Sequence, residues 1–433
     1  MNFSSMSRLL RLAGLACLFA ALAGCALITG DDGRYKPTPL TTYPAGLSAQ
    51  VGWKVQIGSG SGIGFAPAVV GAAVYGAAGN GVVGKYDLST GNALWTAKLE
   101  QRLTAGVGSD GKTTAVVARD GTVIALDDTG AVKWRTKATS DVSVPPVVGY
   151  GVVVVRSGDY RIQAFNAETG DRIWNVQRPG PALALRAPAR IALFDGLIIT
   201  GIPGGKLIAI NAVSGDVQWE GIVAAPKGAS DLERVNDVVG LPVLAPPLLC
   251  AVAFQGRILC FDLAAGGRAI WSKNYSSAVG LTIDSTQVYS PNQSDSVSAF
   301  ALKDGKLNWT QDALKYRQLT SPAIIGSAVA VGDYEGYVHF MAADDGRLLA
   351  RIAVGGGQIN REFFGDLDGA GQLCGNGFVG HDPFCHDEPG KAIATCLIPS
   401  RLATPRAAEA CRVCRRGTVL WRARAAARRP ACH

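Results

Sequence analysis

The amino-acid sequence predicts an all-β fold, an eight-bladed β-propeller in which the N-terminal strand closes the last blade. The first observation is a set of seven tryptophans that recur every 38 to 52 residues: Trp53, Trp95, Trp134, Trp174, Trp219, Trp271 and Trp309. The second is that six of them end the same phrase, in which a turn glycine precedes the tryptophan by four residues. A period near 40 residues is typical of propellers, which use four short strands in each blade.

One repeat, residues 151–174, shows the elements expected of a blade. Val152–Arg156 is a β-branched run that predicts a buried strand, and Arg161–Phe165 alternates polar and apolar residues, as a half-buried strand does. Glu168–Asp171 is a tight turn whose glycine tolerates a positive φ. Arg172–Val176 is the last strand, and it carries the tryptophan.

The repeated tryptophans are interpreted as contacts between blades. A four-stranded sheet cannot bury both of its faces alone, so each blade has to stack on the next. Tryptophan suits this task because it buries roughly 150–250 Å² and has an N–H group that can reach a loop carbonyl. The alternative, a ligand-stacking role for one of them, has no support in the sequence.

The number of blades follows from the turn glycines. Seven complete repeats have one: Gly91, Gly130, Gly170, Gly215, Gly267, Gly305 and Gly346. The seventh repeat has Ala350 where the others have tryptophan, and the early strand around Trp53 has no repeat before it. A closed ring explains both, with the N-terminal strand completing an eighth blade whose inner strands come from the C-terminus, so that no sheet edge stays open. The propeller is predicted to span residues 48–360.

The start of the chain predicts a lipoprotein. Residues 1–24 have arginines before a short apolar run, as a secretory signal peptide does, and the run ends in Leu22-Ala23-Gly24-Cys25, a match to the bacterial lipobox. Lipidation of Cys25 would anchor the mature chain without spanning the bilayer. Since Ala26 is not aspartate, sorting to the periplasmic face of the outer membrane is expected. Residues 25–47 are predicted to be the lipidated terminus and tether; the alternative is a plain signal with a chance cysteine.

The net charge of +8 does not indicate a nucleic-acid partner. Residues 371–433 hold ten Lys or Arg and four acidic residues, which accounts for six of the eight charges. The repeats are therefore nearly neutral, so a nucleic-acid-binding role loses its support and no nucleic-acid partner is predicted.

The segment 361–433 breaks the repeat pattern and is predicted to be an anomalous Cys/Arg-rich tail. It holds six of the ten cysteines and three of the four histidines. Zinc ligation is one interpretation, but the spacings match no regular zinc module, so no metal is predicted. The other is that a frameshift near residues 354–371 has replaced the final strands, or that the tail is disordered.

The sequence holds no motif of a hydrolase, a nucleotide-binding loop or a zinc protease. His339 lies in a predicted strand and is interpreted as a packed residue rather than a base. Cys250 and Cys260 lie in adjoining predicted strands, where they would either pair in an oxidising compartment or remain two buried thiols.

The repeats resemble those of pyrroloquinoline-quinone dehydrogenases, which are eight-bladed propellers. Those enzymes carry adjacent cysteines over the cofactor, and no Cys-Cys dipeptide occurs here. The chain is therefore predicted to be no enzyme and to hold no cofactor; a quinone-dependent dehydrogenase remains an alternative.

Over residues 20–357 the chain resembles the BamB family, the propeller lipoproteins of the outer-membrane β-barrel assembly machinery. Two segments between blades are similar to loops of that family: residues 181–188, Pro-Ala-Leu-Ala-Leu-Arg-Ala-Pro, and residues 231–239, Asp-Leu-Glu-Arg-Val-Asn-Asp-Val-Val. The family's loops contact the POTRA domains of the central barrel-forming subunit. The resemblance assigns this role to Leu183, Leu185, Arg186 and Asp237, while Val239 replaces a second aspartate of the family pattern.

The resemblance implies a non-catalytic scaffold that helps to insert nascent outer-membrane proteins. Apolar anchors beside an arginine, as in residues 183–186, are also the composition of an interface hot spot. The alternative for this segment is that both leucines pack under the rim and the arginine is solvated. A periplasmic ligand-binding propeller remains the second alternative to the scaffold.

Overall fold

The computed structural model describes residues 35–60, 62, 64–180, 189–355, 359–364, 373–379 and 391–399. Their regular elements are β-strands. No helix in these residues is long and apolar enough to cross a bilayer.

The described strands form eight four-stranded antiparallel sheets. The first strands in the chain are β1 (Ala49–Ser59), β2 (Ala68–Val70), β3 (Ala73–Ala77), β4 (Val82–Asp87), β5 (Ala93–Lys98), β6 (Leu103–Ser109), β7 (Thr114–Ala118), β8 (Thr122–Leu126), β9 (Val132–Lys137), β10 (Val147–Gly149), β11 (Val152–Arg156), β12 (Arg161–Asn166) and β13 (Arg172–Gln177). The next are β14 (Ile191–Phe194), β15 (Leu197–Ile202), β16 (Lys206–Asn211), β17 (Val217–Ile222), β18 (Val238–Ala245), β19 (Leu248–Ala253), β20 (Gly256–Asp262) and β21 (Arg268–Tyr275). The last are β22 (Thr282–Ile283), β23 (Gln287–Pro291), β24 (Val297–Ala301), β25 (Leu307–Gln311), β26 (Ala323–Ile325), β27 (Ala328–Gly332), β28 (Tyr337–Ala342), β29 (Leu348–Ala353), β30 (Ile359–Phe364), β31 (Leu373–Val379) and β32 (Lys391–Pro399).

Seven of the sheets are four consecutive strands in chain order, and we number them as blades 1 to 7 from β2–β5 to β26–β29. We label the strands of a blade A to D. The A strands of neighbouring blades contact one another, for example β6 with β10 and β14 with β18, so they lie innermost and the D strands form the outer rim. The propeller fold that the tryptophan repeat predicts is therefore present.

The eighth sheet joins the two ends of the chain. Its order is β1-β32-β31-β30, with Ala49 opposite Pro399 and Ser59 opposite Lys391. The N-terminal strand is thus the D strand of blade 8, as the sequence predicts. Since β31 and most of β30 and all of β32 follow residue 360, the predicted end of the propeller moves to residue 399. Residues 400–433 lie outside the described residues. The frameshift and zinc interpretations concern the whole of residues 361–433, most of which the structure does not describe, and both remain hypotheses.

The tryptophan of each D strand packs on the turn between the C and D strands of the next blade. Trp134 of blade 2 lies on Gly170 of blade 3, which has a φ of 79°, and a Cβ atom there would come within 2.7 Å of the indole ring. Only glycine therefore fits under the ring. The same pairing joins Trp53 to Gly91, Trp95 to Gly130, Trp174 to Gly215, Trp219 to Gly267, Trp271 to Gly305 and Trp309 to Gly346.

A hydrogen bond accompanies this packing in most blades. The indole Nε1 donates to the carbonyl oxygen of the residue three positions before the glycine, at 2.7 to 3.0 Å. The pairs are Trp53 with Leu88, Trp134 with Ala167, Trp174 with Ala212, Trp271 with Leu302 and Trp309 with Ala343. The repeat spacing therefore positions both the glycine on which the indole ring packs and the carbonyl that accepts its N–H.

Trp95 and Trp219 do not make this hydrogen bond among the described residues, and both meet turns of a different length. The Trp95 Nε1 is buried without a hydrogen-bond partner in the described part of the chain. The turn that Trp219 meets is longer, since the Gly267 N–H donates to Asp262, five residues back, whereas the turn that Trp95 meets is shorter, since the Gly130 N–H donates to the carbonyl of Asp127, three residues back. In blade 3 the Gly170 N–H donates to Asn166, four residues back. The shorter turn lacks the residue whose carbonyl would accept from Trp95.

The tryptophan contact is missing at the boundary between blades 7 and 8, which we call the seam because the two ends of the chain meet in blade 8. Blade 8 has no turn between its C and D strands, because β32 and β1 come from opposite ends of the chain. Ala350, which occupies the tryptophan position of blade 7, therefore has no glycine turn to meet. This explains the alanine that the sequence shows there.

Part of the predicted tether belongs to the propeller. Residues 35–48 lie against blade 7, where the Gly46 N–H donates to the Leu349 carbonyl at 2.8 Å and Arg351 Nη1 donates to the Thr41 carbonyl at 3.4 Å. The segment takes the place of the missing turn at the seam, so the tether is shorter than predicted. Residues 1–34, which include Cys25, lie outside the described residues.

Cys250 and Cys260 form a disulfide. They lie directly opposite each other on β19 and β20, and both are fully buried in the core between blades 5 and 6. The structure thus selects one of the two alternatives that the sequence leaves open.

We expect Trp134→Phe to lower the free energy of unfolding by about 1 kcal/mol more than Trp95→Phe does, because only Trp134 loses a hydrogen bond and leaves a buried carbonyl without a donor. The two variants lose similar apolar surface, so each is the control for the other. Urea unfolding followed by circular dichroism measures the difference. Equal losses would contradict the role given to the indole hydrogen bond.

The disulfide should stabilise the fold by about 2–4 kcal/mol. We expect the Cys250→Ala/Cys260→Ala double variant to unfold at lower urea concentration than the wild type in oxidising buffer. Under a reductant strong enough to open the wild-type disulfide, the two midpoints should converge. A double variant as stable as the oxidised wild type would show that the bond contributes nothing.

Candidate partner-binding surface

The propeller has two faces that differ in the loops they carry. Because neighbouring strands are antiparallel, the A–B and C–D turns lie on one face, and the B–C turns and the connections from each D strand to the next A strand lie on the other. We name the second the D–A face. Both segments that the sequence analysis singles out, residues 181–188 and 231–239, belong to D–A connections.

The first predicted segment is residues 181–188. Leu183, Leu185 and Arg186 lie outside the described residues. The chain on either side is held by defined contacts. Before the segment, Arg178 Nε pairs with Glu220 Oε1 of blade 4 at 2.6 Å. After it, Ala189 forms a parallel bridge with Gly240. The ends of the first connection therefore lie beside blade 4 and the end of the second connection.

Asp237 lies inside the protein rather than on its surface. Its side chain is only 8% exposed, and Oδ1 accepts the backbone N–H of Gly204 at 3.1 Å. Burial lowers the pKa of Arg156, and the negative charge of Asp237 opposes that shift. Asp237 therefore ties the second connection to the B–C turn of blade 4. The geometry supports a role in shaping the connection and not the direct partner contact that the resemblance implies.

The residue before Asp237 in the chain is also buried. Asn236 is 2% exposed, and neither its Oδ1 nor its Nδ2 has a hydrogen-bond partner among the described residues. Val239, at the position of the missing family aspartate, is buried as well and lies in β18. The buried residues 236–239 at the end of this connection therefore hold it against the propeller. Its exposed part lies earlier in the chain.

The exposed part is the turn over residues 228–234, which includes Leu232. Leu232 is 70% exposed, a high value for a large aliphatic side chain. The sequence analysis did not single it out, although a lone leucine between Asp231 and Glu233 in a connection was a usable signal, because nothing in the blade repeat requires an apolar residue there.

Hydrogen bonds hold this turn in one conformation. Glu233 Oε2 accepts the N–H groups of Ala229 at 2.8 Å and Ser230 at 3.2 Å, and Ser230 Oγ accepts the Glu233 N–H at 3.3 Å. The backbone N–H groups of Ser230 and Ala229 hold the pKa of Glu233 below its usual value. Arg234 Nε donates to the Gly228 carbonyl at 3.1 Å. Leu232 is therefore presented on a preorganised loop, which lowers the entropic cost of binding.

The D–A face around this turn presents the exposed Leu232 beside charged groups of both signs. The described residues contain no group of three or more His, Cys, Asp or Glu side chains arranged to hold a metal ion. His339 is fully buried in blade 7, far along the ring from this turn, in the packed position that the sequence analysis expects.

Comparison with known proteins gives consistent matches. The family profile described as outer membrane protein assembly factor BamB matches residues 79–311. The protein of that name from Bordetella pertussis is 61% identical over 339 residues, which cover 78% of this chain and 88% of the relative. The one from Burkholderia pseudomallei is 40% identical and covers 80% of this chain and 91% of the relative.

Solved structures agree on the fold. The crystal structure of BamB from Moraxella catarrhalis superposes with a TM-score of 0.69 at 23% identity, covering 81% of this chain and 99% of that one. A quinohemoprotein alcohol dehydrogenase from Pseudomonas putida superposes with a TM-score of 0.59 at 15% identity, covering 84% of this chain and 78% of that one. At these identities the likeness concerns the fold alone.

We expect Asp237→Ala to lower the free energy of unfolding by about 1–3 kcal/mol, because it leaves the Gly204 N–H unpaired and removes the charge that faces Arg156. Leu232→Ala should change it by less than about 0.5 kcal/mol, since the side chain is mostly in water already. Thermal and urea unfolding measure both. If Leu232→Ala were the more destabilising of the two, the assignment of support and contact residues would be wrong.

Proposed function

Because the chain belongs to the BamB family of outer membrane protein assembly factors, we propose that it works as a scaffold of the outer-membrane protein assembly complex and docks on the POTRA domains of the central barrel subunit. The docking surface is the D–A face over blades 3 to 5. Nascent outer-membrane proteins are the clients of the complex, and exposed D strands are suited to hold them by strand addition.

The observation that carries the docking proposal is Leu232, exposed on a turn that its own hydrogen bonds hold rigid. Buried apolar anchors contribute most of the free energy of many interfaces, and a large apolar side chain held in water gains from being covered. The flanks of the segment with Leu183, Leu185 and Arg186 lie beside blade 4 and Gly240, where the connection that carries Leu232 ends.

The proposal includes the cell location. Lipidation of Cys25 would hold the chain at the periplasmic face of the outer membrane, where assembly of outer-membrane proteins takes place. The signal and lipobox in residues 1–25 support this. The disulfide between Cys250 and Cys260 agrees with an oxidising compartment such as the periplasm.

The proposed role involves no catalysis and no cofactor. The dehydrogenases among the structural neighbours share 14–16% identity with this chain. Likeness at this level shows a shared propeller fold and does not show a shared activity. The relatives with the highest identity quoted above are named as assembly factors. A quinone-dependent enzyme is therefore the less favoured alternative.

The test is a binding titration of the mature chain with purified POTRA domains of the cognate barrel subunit. We expect Leu232→Asp and Arg186→Glu each to weaken binding by about tenfold or more, which corresponds to about 1.4 kcal/mol. Val213→Asp is the matched control, because Val213 is 57% exposed on a C–D turn and so lies on the opposite face. It should bind like the wild type.

The outcomes separate the parts of the proposal. Absence of binding by a folded wild-type chain would overturn the POTRA assignment. Binding that Val213→Asp weakens as much as Leu232→Asp would place the partner on the other face or show a non-specific effect of the charge.

A further inference from the structure

A second site lies on the D–A face, at the boundary of blades 6 and 7, and consists of buried charged groups. Arg317 is 2% exposed, and Asp333 and His339 are fully buried. Arg317 belongs to the D–A connection between β25 and β26, Asp333 to the B–C turn of blade 7, and His339 to β28. Charged side chains are rarely buried so completely, so this arrangement needs an explanation.

The carboxylate of Asp333 connects the side chains of Arg317 and His339. Its Oδ2 accepts Arg317 Nε at 2.8 Å and lies 2.9 Å from His339 Nε2, while its Oδ1 accepts the Tyr337 N–H at 2.9 Å. Burial would raise the pKa of Asp333, but the hydrogen bond from His339 and the Tyr337 N–H outweigh it and hold the pKa below its usual value. Burial lowers the pKa of His339. The histidine is therefore neutral near pH 7 and donates from Nε2.

Arg317 also holds the N-terminal segment. Its Nη1 donates to the carbonyl of Thr38 at 3.1 Å, and the Thr38 N–H donates to the carbonyl of Lys315 at 2.9 Å. Nearby, the ring of Tyr35 meets that of Tyr316 edge to face, with centroids 5.6 Å apart. Thr38 is thus bound through both of its backbone groups to one connection of the propeller.

The guanidinium is shared between the blade and the segment. Nη2 contacts Asp333 and Glu335, and the Cζ atom lies 5.2 Å from the ring centre of Tyr334. Only Nη1 reaches out of blade 7, to Thr38. Stabilising blade 7 alone would not require this arginine, because a buried ion pair is often no better than apolar packing. Among the hydrogen bonds of the guanidinium, the one to the Thr38 carbonyl is the one that ties the N-terminal segment to blade 7.

From these contacts we propose that the Arg317 cluster, made of Arg317, Asp333, Glu335 and His339, is the attachment site of the chain's own N-terminal segment. It would fix the point where the lipid tether leaves the propeller on the D–A face, the face proposed to dock the POTRA domains. Membrane anchor and partner then act on the same side of the ring. The inference rests on the proposed lipidation of Cys25.

The length of the free tether follows from the position of the site. Thirteen residue steps separate Cys25 from Thr38, so the anchor lies at most about 45 Å from the propeller. Without the Arg317 cluster the next hydrogen bond to a blade is that of Arg351 with the Thr41 carbonyl, and the reach would grow to about 55 Å. The cluster therefore limits how far the propeller can move from the membrane and which face it turns toward it.

Hydrogen exchange of the full chain tests the attachment. Arg317→Lys keeps a positive charge beside Asp333 but lacks the planar fork that reaches Thr38. We expect the Thr38 amide to exchange at least tenfold faster in this variant, while the Gly46 amide, bonded to Leu349, stays protected. Arg347→Lys is the control, since Arg347 pairs on the exposed C–D turn of the same blade. Unchanged exchange at Thr38, or equal loss at Thr38 and Gly46, would overturn the role of the cluster.

Energy transfer from the propeller to acceptor-labelled lipids tests the orientation. A fluorescent amino acid at exposed Lys227, on the D–A face, should transfer more to vesicles that carry the lipidated chain than one at Val213 on the opposite face. In Arg317→Lys the difference should fall by at least half. If the two labels transfer equally in the otherwise wild-type, vesicle-bound chain, the proposed orientation is wrong, although the chain is lipidated. A chain that does not bind the vesicles would overturn the lipidation on which it rests, while leaving POTRA docking to its own titration.

Discussion

The structure depends on one contact that is repeated around the ring, an indole seated on a glycine turn of the next blade. The glycine has a positive φ and no side chain, so the ring can lie against the backbone, as Trp134 does on Gly170. The carbonyl three residues earlier accepts the indole N–H in most blades. Tryptophan thus supplies apolar area at seven of the eight boundaries between blades, and a hydrogen bond as well at five of them. The shorter turn at Gly130 shows how sensitive the register is, because one missing residue leaves the Trp95 N–H without an acceptor.

The same contact cannot close the ring. At the seam the C and D strands of blade 8 come from opposite ends of the chain, so there is no C–D turn to receive a tryptophan, and Ala350 takes its place. Closure instead uses the ladder of β1 with β32 and the segment before β1, which lies against Leu349 and Arg351. The N-terminal segment is therefore part of the ring. Ring closure and the placement of the N-terminal segment therefore depend on each other.

The loops on the two faces of the propeller have different roles. The A–B and C–D turns carry the glycine platforms and are constrained by the packing of the blades. The D–A connections are free of that constraint, and their variation builds the functional features. One connection presents Leu232 on a rigid turn, and another holds Arg317 against the N-terminal segment. Within the first, support and contact are separated, because Asp237 points inward to Gly204 and Leu232 points outward.

The amino-acid sequence by itself determined the all-β propeller, the spacing of the tryptophans, the closing role of the N-terminal strand and the two connections of interest, because each follows from local periodicity or from a motif along the chain. Tertiary structure decided which side chains of those connections meet solvent. The family resemblance assigned a contact to Asp237, but the acceptor it provides to Gly204 becomes visible only when blades 4 and 5 are packed. The pairing of Cys250 with Cys260 and the docking of residues 35–48 were likewise settled by strand register and by the missing turn at the seam. Such outcomes depend on groups distant in sequence that the ring brings together, and no local pattern records them.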